Sequence, residues 1–412
     1  MKKNAAYICI IFLFQCFFVQ TADPAVLVHN TLQDIENCKG KLQLKLKRIW
    51  GGDAEEDENK FFATPISIAV DNNQLAYICD MHNHCVKVFK NNGDYIRTIG
   101  IKGQGPGDTY APMYITVSPV GDLLVSEVGN RRIQWFDSQG KSIHILKQKK
   151  GLIEWIGVIS RNEFAYYSHL KTFNKRMLIS VIDNKGKVLS EIGKYHDTAK
   201  NFMSSERLQF AIDEKGDIYA ANQGTPMIRK YSPDGKLIMV ITFDTPFDIP
   251  IEITLNSSGD EIERKEETGG QDNFKITRSN RGISIQSNDN KKQWKYWTCM
   301  GIGIDFKNRI YTVKRRRMLT EKEEYAKAVH GSPTRGINRS RVNYYLVETN
   351  DFNHILLFNS IGKIIAEARL TTLCDGIYIH NNRIFVIDGI CNQRIMEYEM
   401  SFSSKNNPGV SK

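Results

Sequence analysis

The chain has 412 residues, of which 41% are hydrophobic and 25% charged, with 11 prolines and a formal net charge of +10. This balance excludes a disordered or collagen-like chain and supplies enough apolar material for a large core in one or two domains. The positive charges are scattered except at 314–317 and at Arg335, Arg339 and Arg341, so the simpler reading is a solvated basic surface rather than a nucleic-acid face.

The first residues differ from the rest. Lys2 and Lys3 precede an apolar run from Ala5 to Val19, and the small residues Thr21 and Ala22 follow. A basic start, a run of about 15 apolar residues and small residues at its end describe a secretory signal peptide, expected at 1–22. The run is short for a span of about 20 residues, and Gln15 interrupts it. Lipid modification at Cys16 is disfavoured by the bulky Phe14 and Gln15 before it. No later segment is apolar enough to cross a bilayer. Cleavage leaves six of the eight cysteines: Cys38, Cys79, Cys85, Cys299, Cys374 and Cys391. An even number in an exported chain favours disulfides, and none of them forms a CxxC pair.

After a lead-in at 23–40, one phrase recurs: an apolar or aromatic residue, three turn formers, then glycine. It occupies 89–93, 136–140, 182–186, 231–235 and 358–362, with glycines 47, 46, 49 and then 127 residues apart. Units of this length fit a four-stranded propeller blade. Each phrase is flanked by short alternating runs between Gly, Asn and Asp turns, the pattern of antiparallel strands. Helical periodicity is nearly absent, so the expected class is all-β. Six units are expected at about 65–107, 112–148, 153–197, 207–247, 296–371 and 373–400. The last lacks a fourth strand, and 41–49 is expected to supply it from the N-terminus, covering an otherwise open edge. The long interval is read as insertions at about 248–295 and 319–343, the second helical around 320–328. A degenerate seventh unit in the first insertion is the alternative. A flexible tail is expected at 401–412.

Residues 76–89 (AYICDMHNHCVKVF) and 124–136 (LVSEVGNRRIQWF) resemble the core of NHL repeats. The glycine-rich stretch 99–107 (IGIKGQGPG), leading to Pro112, resembles the link between their blades. The resemblance runs over roughly 41–400 and implies a six-bladed β-propeller. Residues 386–395 (VIDGICNQRI) also resemble a segment of the peptidylglycine amidating lyases, propellers of the same kind. That resemblance implies a Cys374–Cys391 bridge. It does not carry the lyase chemistry: the positions matching that family's zinc histidines are Ile66, Met113 and Asp375, so neither zinc binding nor zinc-activated water is expected.

The second strand of several units ends in an acid followed by asparagine: Asp80 with Asn83, Glu127 with Asn130, Asp388 with Asn392, and more loosely Glu348 with Asn353. A carboxylate there accepts backbone N–H bonds across the turn, which is the favoured reading. The functional reading places these residues around one channel face, where they hold a ligand or a cation. Calcium wants about six or more converging oxygens. His82 and His84 stand between Cys79 and Cys85, and a hairpin Cys79–Cys85 disulfide is preferred there to a metal site. A Cys38–Cys299 bridge follows only by elimination. Asn256 and Asn338 begin glycosylation sequons within the insertions. The expected function is an exported binding scaffold, secreted, periplasmic or on the cell surface. It is expected to be monomeric, with protein, peptide or polysaccharide partners, no nucleic acid and no required cofactor. The alternative is a calcium-dependent hydrolase or lyase at the central channel.

Overall fold

The computed structural model describes residues 25–404 apart from 39, 53–56, 149–151, 169–176, 195–207, 223–225, 245–250, 256–260, 267–269, 272–273, 280–281, 288–292, 297–298, 316–352, 373 and 390–392, with backbone only over 251–300. The described residues are almost entirely β, with a five-residue helix at Leu32–Glu36. Pro65–Val70, Ala76–Asp80, Cys85–Phe89 and Tyr95–Ile99 form one four-stranded antiparallel sheet. Pro112–Val117, Leu123–Glu127, Arg132–Phe136 and Ser142–Lys147 form the next. Ile153–Ser160, Glu163–Ser168, Met177–Asp183 and Val188–Lys194 form a third. Leu208–Ile212, Ile218–Asn222, Met227–Tyr231 and Leu237–Phe243 form a fourth.

The remaining units share one eight-stranded sheet. Cys299–Ile304, Ile310–Arg315, Asn353–Phe358 and Ile364–Leu370 make one half; Gly376–His380, Arg383–Asp388, Arg394–Ser404 and the N-terminal strand Gly40–Gly51 make the other. Among the described residues, two parallel partner pairs, Gly40 with Ala366 and Lys41 with Glu367, join the halves. Gly40–Gly51 lies antiparallel to Arg394–Ser404, with Leu42 opposite Phe402 and Trp50 opposite Ile395. This pairing carries the last strand into the expected tail, because 40–44 gives 400–404 a partner.

Each hairpin between third and fourth strands closes on the recurrent phrase. Its glycines, Gly93, Gly140, Gly186, Gly235 and Gly362, all have φ between 81° and 95°. A side chain there meets the left-handed penalty, which is why glycine recurs. The turn is completed by side chains: Asp137 and Asp183 each accept backbone N–H bonds from two and four residues on.

The cores lie between sheets. Val86, Val88, Ile115 and Phe136 pack the first sheet on the second, and Leu124, Trp135, Ile156 and Phe164 the second on the third. Val181, Ile192, Phe210 and Val240 continue the sequence, then Ile241, Phe243, Ile310 and Phe358. Val313, Leu357, Ile384 and Met396 join the halves of the large sheet, and Trp50, Phe62, Phe89 and Phe385 join its end to the first sheet. The first strands are neighbours in the same order: 65–70 beside 112–117, then 153–160, 208–212, 299–304 and 376–380, which returns to 65–70. The circuit is closed.

The lead-in is structured. Val26–Asn30 adds a parallel fifth strand outside Leu237–Phe243. The helix Leu32–Glu36 follows, its start fixed by a capping box between Thr31 and Asp34. Asn30 is fully buried. Its amide donates to the carbonyls of Thr242 (3.2 Å) and Gly362 (3.0 Å), and its oxygen accepts from Ile364 N (2.8 Å). Residues 26–51 therefore strap three successive units from outside. The first insertion carries strands of its own: a hairpin of Ile251–Leu255 with Glu261–Glu266, and a small sheet spanning Gly270–Gln271 to Gln293–Tyr296. It does not interrupt the circuit, since Leu208–Ile212 packs directly beside Cys299–Ile304. The second insertion, with its expected helix, lies outside the described residues, as does the expected signal peptide.

Candidate functional site

The acidic turns sit where the first strands begin. Asp80 is the register partner of Pro65, and Glu127 that of Pro112. All three described carboxylates, Asp80, Glu127 and Asp388, are fully buried. Asp80 accepts from Ala63 N (3.0 Å), Thr64 N (2.7 Å) and Asn83 Nδ2 (2.7 Å). Glu127 accepts from Tyr110 N (3.0 Å), Asn130 Nδ2 (2.6 Å), Arg132 Nε (2.7 Å) and Gln134 Nε2 (3.1 Å). Asp388 takes the Thr372 hydroxyl (2.5 Å) and Arg394 Nε (3.2 Å). Asp80 and Glu127 thus tie the segment entering a first strand to the turn after the second strand, and Asp388 ties that segment to the start of the third strand. Charge-assisted bonds of this kind contribute about 1.5–3 kcal/mol each. Asn392 and Glu348 lie outside the described residues; Asn353 is buried and donates to Thr372 O. Among the described residues, no three His, Cys, Asp or Glu side chains gather as a metal cluster.

Cys79 and Cys85 do not bridge. Cys79 is the register partner of Val86, and Asp80 that of Cys85, so the two thiols leave opposite faces of the hairpin. Burial pushes the Cys85 thiol up to about 12 and raises the Cys79 thiol as well. His82 Nδ1 meets the Thr64 hydroxyl at 2.7 Å. His84 Nδ1 accepts from Ala111 N at 3.2 Å, and its ring stands edge-on to Tyr110. Burial, then Lys102 and His82, hold the His84 imidazole below its ordinary value. Cys374 is buried, but Cys391 and the Cys299 side chain are outside the described residues, so the expected Cys374–Cys391 and Cys38–Cys299 pairs are too.

The register of four first strands slips where they begin, at 65–67, 112–114, 153–155 and 299–302. Such bulges re-aim a side chain. The slipped residues include Ile66 and Met113, two of the positions where the lyase resemblance places zinc ligands, and here they are apolar. Asp375 lies just before Gly376–His380, and its carbonyl is 3.5 Å from Gln209 Nε2.

A cavity of about 660 Å³ opens at the other end of the first strands, and every first strand of the circuit contributes to its wall. The wall is mixed: Ile159, Ile212, Ile304 and Ile379 and the rings of Tyr114, Phe210 and Tyr378 line it together with Asp71, Asn72, Thr116, Ser118, Asp213 and Glu214, and polar atoms make up more of its surface than apolar ones. Tyr114 stacks obliquely on Trp155, centroids 4.0 Å apart. Burial raises both phenols above the ordinary tyrosine value. The buried acids at the mouth are already engaged. Asp71 holds Leu75 N and the Tyr77 hydroxyl. Asp213 holds Lys215 N, Asp217 N, the Tyr219 hydroxyl and Lys230. Asp305 repeats the pattern with Tyr311. An aspartate six residues before a tyrosine was the sequence signal for this end of the molecule, and the acid–asparagine pairs drew the reading to the opposite end.

Residues 62–89 match the NHL repeat. No curated protein matches the sequence. Among solved structures, the chain is similar to a member of the DUF4221 family from Bacteroides vulgatus, at 10% identity and a TM-score of 0.53, covering 89% of this chain and 99% of that one. It is also similar to virginiamycin B lyase from Staphylococcus aureus (13% identity, TM-score 0.44, 87% and 99% covered). A third likeness is the β-propeller domain of Cps50 (Swd1) from Myceliophteria thermophila (10%, 0.44, 87% and 100%). The circuit of antiparallel sheets makes this chain a β-propeller, and residues 62–89 within it match an NHL repeat.

Proposed function

We propose that the chain is an exported, six-bladed propeller that acts as a binding scaffold and receives its protein, peptide or polysaccharide partner at the central cavity and its rim. The blade count is supported by the order of first-strand neighbours and by the way the eight-stranded sheet divides at its short parallel joint. Export is supported by the leader sequence at 1–22. One observation carries the binding role: a cavity of about 660 Å³ to which every first strand of the circuit contributes, with polar and apolar groups together in its wall. That size lies within the range of ligand pockets, about 300–1,000 Å³. A calcium-dependent hydrolase would instead need oxygens converging on one point, and elemental analysis of the purified protein tests that alternative.

The experiment is a pull-down from the native compartment combined with a glycan array, using the mature chain and a cavity-filled Thr116→Trp variant. A saturable partner lost on filling the cavity is the expected outcome. Absence of any saturable partner contradicts the scaffold role.

A further inference from the structure

The cavity wall offers more than side chains. Every first strand is the terminal strand of its sheet and pairs only with the second strand. Alternate N–H and C=O groups of a terminal strand point away from the sheet, here toward the axis, and each needs a partner. Several are capped by neighbouring side chains. The Tyr378 hydroxyl accepts from Val70 N (3.2 Å), Ser67 Oγ accepts from Ile115 N (3.1 Å), and Trp155 Nε1 donates to Phe210 O (2.8 Å). No such cap among the described residues covers 302–304 or 377–379, which both line the cavity. These two strands also approach closely: a Cβ on Gly303 would lie 2.2 Å from Ile379 Cγ1. Glycine at 303 therefore brings two uncapped edges side by side at the cavity wall.

We propose that the central cavity takes a peptide segment without acidic side chains in extended form, its main chain bonded to the edges at 302–304 and 377–379 and its side chains beside Ile212, Ile304 and Ile379. This rests on the cavity being the binding site. Uncapped donors and acceptors along a strand edge match the main chain of an extended peptide, whereas a hydrocarbon chain would bury them unpaired. An acidic side chain meets Asp71, Asp213 and Glu214 in the same wall, and their like charge opposes its entry.

The test is isothermal titration calorimetry of the full mature chain with three probes: acetyl-Val-Phe-Val-Leu-amide, acetyl-Glu-Phe-Glu-Leu-amide and maltotetraose. The neutral peptide is expected to saturate and to bind at least tenfold more tightly than the acidic one. Thr116→Trp, which fills the cavity, and Ile304→Glu, which places a charge in its wall, are each expected to weaken the neutral peptide at least tenfold. Circular dichroism and thermal unfolding check that each variant folds, and Thr116→Glu replaces one that does not. Failure of the neutral peptide to saturate overturns the inference, as does equal binding of the acidic peptide or binding untouched by the substitutions. Saturation by maltotetraose alone, abolished by Thr116→Trp, overturns the peptide assignment while keeping the cavity as the site. A partner from the pull-down that binds Thr116→Trp unchanged overturns the cavity reading itself.

Discussion

Glu127 shows how much of this fold depends on single buried charges. Four donors converge on it, one of them Arg132, which is itself 2% exposed. Glu127→Ala leaves that guanidinium without its counter-charge, and a loss of about 3–5 kcal/mol in unfolding free energy is expected from denaturant titration. His84 makes a different prediction. Its imidazole is held below the ordinary histidine value and accepts from Ala111 N through Nδ1. A depressed folded-state value favours the neutral ring, so this contribution is complete above the unfolded value near 6.5 and declines as pH falls below it. Lys102 and His82 oppose the protonated ring and Asp80 favours it, with the balance on the neutral side. Wild type is expected to lose stability relative to His84→Asn as pH falls from about 7 to 5, and a pH-independent difference between them would refute this. Asn suits the site because His84 has φ +56°.

At the scale of elements, the hairpin glycines differ by surroundings. Gly140 and Gly121 both have φ near 90°, but a Cβ on Gly140 would lie 2.8 Å from Ile99 Cγ1, while nothing lies within 4 Å at Gly121. Gly121→Ala is expected to cost about 1–2 kcal/mol from strain alone, and Gly140→Ala measurably more. Equal losses in thermal denaturation would show that the contact with Ile99 does not matter. The N-terminal strap supplies a second comparison. Asn30→Ala removes three bonds, two of which (to Gly362 O and from Ile364 N) cross to the neighbouring sheet, and is expected to cost about 3 kcal/mol. Hydrogen exchange in the variant should rise first along Val26–Asn30 and Leu237–Phe243. The hairpins were legible in the sequence because strand, turn and glycine lie within one unit. Val26–Asn30 was not, because its partner strand is more than 200 residues away and five residues carry little pattern of their own. The Asp80 and Glu127 turns were legible as structure for a similar reason, since each carboxylate bonds to an asparagine three residues on and to backbone fewer than 20 residues before it.

For the whole molecule, closure and cavity are two consequences of one arrangement. The strand Gly40–Gly51 completes the last unit, and the strap before it binds the two units preceding that one. With the circuit closed, the first strands enclose a central space, and their uncapped edges become its lining. None of this has a local signature. The cavity collects Val70, Thr116, Ile156, Phe210, Ile302 and Ile377 from positions spread over three hundred residues. The repeat implied that such a space exists; its size and chemistry depend on how closely the strands approach the axis. Hydrogen-exchange footprinting of the mature chain with its pulled-down partner tests the central claim most directly. Protection is predicted at 70–73, 116–121 and 210–214, at the cavity end of the circuit. Protection confined to the opposite end, at 80–84 and 127–131, would contradict the account.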